Sequence, residues 1–194
     1  MYYTKKIKTS IIGIAIIFLG ISTNLYAQEY TLDAQKSSLI IYGTSNIHDW
    51  EIDAENQTGI LAIETANKLQ IKKLNIVLEV EGLKSGKGGM DKNTYKALNL
   101  KKHTTIEFQF LNTEEVSELK NGSYTFKTKG NLKISGVTKM ISLEFILNKK
   151  DDEVKLVGEK TIKMTDFNVD PPKALLGTIK TGDEVTIKFN TILE

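Results

Sequence analysis

The stretch KKLNIVLEVE, residues 72–81, places an apolar side chain at every second position. Leu74, Ile76, Leu78 and Val80 form one series, and the residues between them are mostly polar. A period of two is typical of a β-strand with one buried face. The same alternation recurs over 106–110, 141–145 and 185–189. The pattern therefore predicts an all-β protein built from half-buried antiparallel strands.

Extending this pattern along the chain predicts eight strands separated by turn-forming residues such as Asn121-Gly122. The predicted strands are residues 38–46, 50–64, 70–81, 104–112, 122–135, 139–149, 153–165 and 183–194. Between strands 3 and 4, residues 91–101 have helix-forming composition, with Asp91 as the candidate N-cap. A loop with one helical turn is predicted at 170–177. Closure removes the exposed edges of long strands, which favours an eight-stranded antiparallel β-barrel.

The start of the chain has the features of an export signal. Three lysines before residue 10 lead into an apolar run over 11–21, which is too short to span a membrane. We predict a signal peptide over 1–27, cleaved after Ala27, and a single domain over 28–194. Of the 26 lysines, three precede residue 28, which leaves 23 against 24 acidic residues, a net charge of −1. This balance argues against nucleic acid as a partner.

The sequence offers little for catalysis or for metal binding. It has no cysteine and only two histidines, His48 and His103, neither of which stands in a recognisable ligand spacing. No G-x-S-x-G element accompanies them. We therefore expect neither an enzyme nor a bound metal or cofactor.

Four segments together resemble a known family. They are GTSNIHDW (43–50), MDKNTYKALNLKKHTTIEFQF (90–110), GNLKISGVTKMISL (130–143) and FNVDPPKALLGTIKTGDEVTIKF (167–189). Over about residues 29–194 the chain resembles the YceI-like lipid/polyisoprenoid-binding family. It departs from the family pattern at 103–106, where a proline is common, and at 165–168, where an arginine is common. Both departures concern the identity of the ligand more than the fold.

The resemblance implies a lipocalin-like barrel, exported to the periplasm, that carries a long isoprenoid or fatty-type lipid and does no chemistry. Inward-facing residues predicted from the strand pattern would line its cavity, and polar residues near one mouth, including His48, Asp49 or His103, would hold a head group. The candidate ligand-binding residues are Ile76, Leu78, Phe108, Phe110, Phe126, Leu143, Phe145, Ile187, His48 and Trp50.

Two further expectations concern an alternative fold and the assembly. Alternation alone does not separate a hollow barrel from a filled core, so a non-catalytic β-sandwich that binds protein partners is the alternative. Ile60, Ala62 and Val77 are apolar at positions predicted to face solvent, which makes a homodimer one candidate assembly.

Overall fold

The computed structural model describes residues 27–65 and 68–194. The predicted signal peptide lies outside the described residues except for Ala27. No helix in the described part of the chain is long and apolar enough to cross a membrane.

The described residues form twelve strands, one α-helix and three short 3-10 turns. The turns are Val80–Gly82, Met164–Phe167 and Leu175–Gly177, and the helix α1 is Gly88–Ala97. The strands are β1 (Gln28–Thr31), β2 (Ser38–Ser45), β3 (Trp50–Ala54), β4 (Gln57–Thr65), β5 (Leu69–Glu79), β6 (Leu83–Lys84), β7 (Thr105–Glu118), β8 (Tyr124–Ile134), β9 (Val137–Lys150), β10 (Glu153–Lys163), β11 (Lys173–Ala174) and β12 (Ile179–Leu193).

All strand pairs are antiparallel, and the sheet curls into a barrel in the order β4-β5-β7-β8-β9-β10-β12-β2-β3. The chain itself joins the ends of this series, because β3 runs into β4 through Glu55 and Asn56. Backbone bonds hold the bend: the Glu55 N–H donates to the Gly82 carbonyl at 2.9 Å, and the Glu79 N–H donates to the Asn56 carbonyl at 3.0 Å. Strand β1 lies beside β4.

The expected count of eight strands is wrong: twelve are present in the described chain. The predicted strand 50–64 is divided by the bend at Glu55 and Asn56. Strands β1, β6 and β11 have only four, two and two residues, too few for an alternation to be visible in the sequence. The sandwich alternative is also wrong, since one curled sheet contains all the long strands described.

Helix α1 lies at one end of the barrel and is fastened there by polar contacts. It begins three residues earlier than predicted, with Lys87 rather than Asp91 at its N-cap. The Asp91 carboxylate accepts hydrogen bonds from the Ser85 hydroxyl and backbone N–H, and the hydroxyl contact is the main reason that the pKa of Asp91 is lowered. The Tyr95 hydroxyl lies 3.0 Å from the Leu83 carbonyl. These contacts fix the helix beside β6.

The opposite end of the barrel is filled with apolar side chains. Phe126 and Phe145 stack there with ring centroids 5.9 Å apart, and Phe126 has no exposed surface. The buried members of this cluster are Tyr30, Leu32, Leu61, Ile63, Leu69, Ile71, Leu74, Phe126, Phe145, Leu147, Val154, Leu156 and Leu193. The barrel therefore has one closed, packed end.

The three apolar residues behind the homodimer prediction differ in exposure. Ile60 is 36% exposed and Val77 is half-buried, whereas Ala62 is only 4% exposed. Ala62 lies on β4 opposite Glu29 of the neighbouring strand β1. Ala62 is therefore already covered within the chain and offers no surface to a second copy.

Candidate functional site

The barrel encloses a cavity of about 520 Å³ between the packed end and helix α1. Its wall is almost entirely apolar because inward residues of eight strands face it. These wall residues are Leu39, Ile41, Ile52, Leu74, Ile76, Leu78, Ile106, Phe108, Leu132, Ile134, Ile141, Leu143, Phe145, Leu156, Ile162, Val185, Ile187 and Phe189. A dry surface of this kind suits a hydrocarbon and penalises an unpaired charge.

The floor of the cavity is the top of the packed cluster. Leu74, Phe145 and Leu156 belong to both the cavity wall and the buried cluster. Phe126 lies behind Phe145 and so supports the floor without touching the cavity. A molecule in the cavity can therefore enter or leave at the helix end but not through the closed end.

Of the eight apolar residues predicted to bind ligand, six line the cavity: Ile76, Leu78, Phe108, Leu143, Phe145 and Ile187. The other two, Phe110 and Phe126, do not. Phe126 is fully buried in the packed end, and Phe110 packs against the same cluster. Strand alternation identifies which face of a strand points inward, but it does not say how far along the barrel axis the cavity extends.

Near the mouth, His48 and Trp50 both border the cavity. The Trp50 indole N–H donates to the Thr44 carbonyl at 2.9 Å. The ring lies against Gly43, where an added Cβ would come within 2.1 Å of Trp50 Cζ2. Gly43 is thus required for the tryptophan to lie flat at this position. His48 Nδ1 is 2.8 Å from the Asp49 carbonyl oxygen.

Two expected head-group residues lie elsewhere. Asp49 is not part of the cavity lining, and neither is His103. The His103 ring packs against Gly136, where a Cβ would lie 2.6 Å from His103 Cε1. The two histidines are therefore not brought together at the mouth.

Two segments of the cavity lining were not predicted from the sequence. Helix α1 and the residue after it contribute Met90, Asn93, Thr94, Ala97 and Leu98, and the chain after β10 contributes Met164, Phe167, Val169, Pro172, Ile179 and Thr181. The helix itself was predicted, but not its contribution to the cavity. The second segment has no periodicity, so only its two prolines marked it as special.

A hydrogen-bonded aspartate fastens that second segment. The Thr165 hydroxyl donates to Asp183 Oδ2 at 2.6 Å, and the Thr165 backbone N–H donates to Oδ1 at 2.9 Å. These hydrogen bonds, the hydroxyl first, hold the pKa of Asp183 below its usual value. The 3-10 turn Met164–Phe167 is thereby held beside β12, with Phe167 directed into an apolar cluster.

The charged residues around the cavity are all of one sign. Lys87, Lys160 and Lys173 belong to its lining, and no aspartate or glutamate of the described chain does. Within the described residues, no group of three or more histidine, aspartate or glutamate side chains could hold a metal ion. The site is therefore an apolar tube with a small number of cationic groups.

Solved structures with the same fold are distantly related in sequence. Burkholderia cenocepacia BcnA is 16% identical, with a TM-score of 0.68 over 83% of this chain and 98% of that one. A Saccharophagus degradans structure described as a polyisoprenoid binding domain is 14% identical, with a TM-score of 0.66 over 85% and 97%. The Campylobacter jejuni YCEI protein is 16% identical, with a TM-score of 0.56 over 98% and 99%.

No curated protein matches this chain. The YceI-like domain family matches residues 30–193, which include every described strand in full except β1, of which the last two residues are included. The chain therefore belongs to the YceI-like domain family.

Proposed function

We propose that this protein is an exported, non-catalytic carrier that holds a polyisoprenoid or similar long-chain amphiphilic lipid in its barrel cavity. The observation that carries the proposal is the apolar cavity of about 520 Å³, closed at one end by packed side chains. The Saccharophagus degradans relative, described as a polyisoprenoid binding domain, supports the same class of ligand.

The size of the cavity bounds the part of the ligand that it can enclose. At about 520 Å³ the cavity lies within the range of about 300–1,000 Å³ that is usual for sites of small ligands. Each methylene removed from water contributes about 0.8 kcal/mol. Ten enclosed carbons then contribute about 8 kcal/mol, which is comparable to the cost of association of about 4–15 kcal/mol. Longer chains would leave their remaining carbons outside the mouth.

The direct test is mass spectrometry of organic extracts of the purified protein. We expect a reproducible class of long-chain lipid from the wild type and much less from Ile187→Trp, because the substitution places a bulky indole ring in the cavity wall. The matched control is Lys188→Trp, the next residue on the same strand, whose side chain lies on the outer face near Glu159. Melting curves establish that both variants are folded. Equal lipid from the two variants, or no lipid bound by either wild-type or delipidated protein, would contradict the proposal.

The site of action and the assembly are separate parts of the proposal. Lysines followed by the apolar run 11–21 support export to the periplasm. Cell fractionation and the intact mass of the periplasmic form test it, with Gln28 as the expected first residue. A homodimer would use the outer face of the sheet, where Ile60, Ile146 and Val157 are exposed, and light scattering on the purified protein measures its mass.

A further inference from the structure

The charges of the cavity lining are unbalanced in a way that the chain as a whole is not. Among the residues that the structure describes, three lysines and no carboxylate border the cavity, although residues 28–194 carry nearly equal numbers of lysines and acids. Lys87 and Lys173 are exposed at the mouth, where water can solvate their ammonium groups. Lys160 is different because it lies on the inner face of a strand.

The register of β10 fixes the direction of Lys160. On this strand Val154 and Leu156 are buried, whereas Glu159 and Thr161 are exposed, so even-numbered residues face the interior. Lys160 lies opposite Ile187 of β12, which also lines the cavity. It is half-buried at an inward position whose neighbours on the same face are Gly158 and Ile162.

Nothing in the described protein neutralises this lysine. No carboxylate of the described residues is within ion-pair distance of its ammonium group. The residues beneath it are apolar, since the rings of Phe145 and Phe189 belong to the lining and an added Cβ at Gly158 would come within 2.7 Å of Phe189 Cζ. An anion that enters the cavity would therefore meet an unpaired ammonium group at this level of the wall.

The barrel wall also changes at this position. Gly158, paired with Phe145, is the last residue of β10 that pairs with β9. From Glu159 onward β10 pairs only with β12. Lys160 is therefore the first inward residue past the point at which the two strands separate, and it lies between the packed floor and the mouth.

We infer that the ligand carries an anionic head group, a carboxylate or a phosphate, and that Lys160 pairs with it inside the barrel while the hydrocarbon chain fills the apolar remainder. This inference rests on the proposed carrier function and adds the charge of the ligand to it. Lys87 and Lys173 would attract the same anion to the mouth, because exposed charges of one sign steer oppositely charged ligands.

The test compares three probes that share a sixteen-carbon chain: hexadecanoate, hexadecyl phosphate and hexadecanol. Binding to delipidated protein is measured by calorimetry for wild type, Lys160→Met and Lys155→Met. Lys155 lies on the outer face of the same strand and is the matched control. Inorganic phosphate alone is the probe that separates a lipid head group from a free anion.

For the wild type we expect the anionic probes to bind about tenfold or more tightly than the alcohol, the usual effect of a hydrogen bond to a charged group. Lys160→Met should remove this preference and leave hexadecanol binding unchanged, whereas Lys155→Met should keep it. Inorganic phosphate alone should not bind. The stronger of the two anionic probes identifies the head-group chemistry.

Two results would overturn the inference and leave the carrier function intact: equal binding of all three probes by the wild type, or an unchanged anion preference in Lys160→Met. A similar loss in Lys155→Met would also overturn it, since the effect would then reflect overall charge. If the wild type binds none of the three chains, the proposed carrier function itself fails.

Discussion

Two phenylalanines that look equivalent in the sequence should respond oppositely to truncation. Phe108 and Phe126 both occupy inward positions of long strands. Phe126 is fully buried in the closed end, stacked on Phe145, whereas Phe108 is half-buried and borders the cavity. We expect Phe126→Ala to reduce stability with little effect on ligand binding, and Phe108→Ala to change ligand binding at a smaller cost in stability.

The size of the difference follows from what each ring contacts. Truncating a fully packed phenylalanine costs about 3–5 kcal/mol, because the ring leaves a cavity that its neighbours fill only in part. At about 2–4 °C of melting temperature per kcal/mol for a chain of this size, Phe126→Ala should melt about 6–20 °C lower. Phe108 already faces an open space on one side, so its removal loses fewer contacts, among them those over Gly130.

Urea titration followed by far-ultraviolet circular dichroism measures both losses, and the extracted lipid is quantified in parallel well below the melting temperature. Equal m-values for the two variants, meaning an equal dependence of the unfolding free energy on urea concentration, would indicate that the substitutions change stability and not the surface exposed on unfolding. Two results would contradict this prediction. One is a loss of stability in Phe108→Ala as large as that in Phe126→Ala. The other is a lower lipid content in Phe126→Ala with an unchanged content in Phe108→Ala.

Three further substitutions test individual contacts. Gly43→Ala should displace the ring of Trp50, the single tryptophan, and shift its fluorescence to longer wavelength; an unchanged spectrum would contradict the contact. Asp183→Asn should be less stable than wild type near neutral pH, because the lowered pKa of Asp183 contributes stability that is present above about pH 4 and lost as the pH falls through the folded value. Urea midpoints of the two proteins should therefore converge in acid. Gly136→Ala should cost more than 1 kcal/mol, since its φ of +81° and an adjacent ring both oppose a side chain; a smaller loss in the same titration would contradict this.

Much of the fold follows from alternation because a period of two is a strong signal over long strands. Ile76, Phe108, Leu143 and Ile187 were placed on the inner face from this pattern alone, and each lines the cavity. Whether the barrel is packed or hollow at a given position along its axis depends on side chains from several strands at once. Phe110 was therefore misplaced, although its face was correct.

Two other features could not be predicted from the sequence, for a different reason. Lys160 looks like any exposed lysine in the sequence, and its place opposite Ile187 of the cavity wall emerges only from the register between β10 and β12. Trp50 was named as a candidate ligand-binding residue, but its position against Gly43 depends on the pairing of β2 with β3. Both cases depend on which residues face each other across paired strands, which the alternation within one strand does not contain.

The bend that joins β3 to β4 explains why the barrel is packed at one end and hollow at the other. The β4 side of the bend accepts the additional strand β1, which brings Tyr30 and Leu32 into the closed end. The β3 side pairs only with β2 and the two-residue β6, so no comparable side chains enter there and helix α1 lies across the space instead. The bend itself needs a glycine, because a Cβ at Gly82 would lie 2.9 Å from the Asn56 backbone nitrogen. The cavity thus results from the bend at which the chain passes from β3 to β4 and changes its neighbouring strands. A larger residue at Gly82 should therefore disturb the mouth before it disturbs the packed floor.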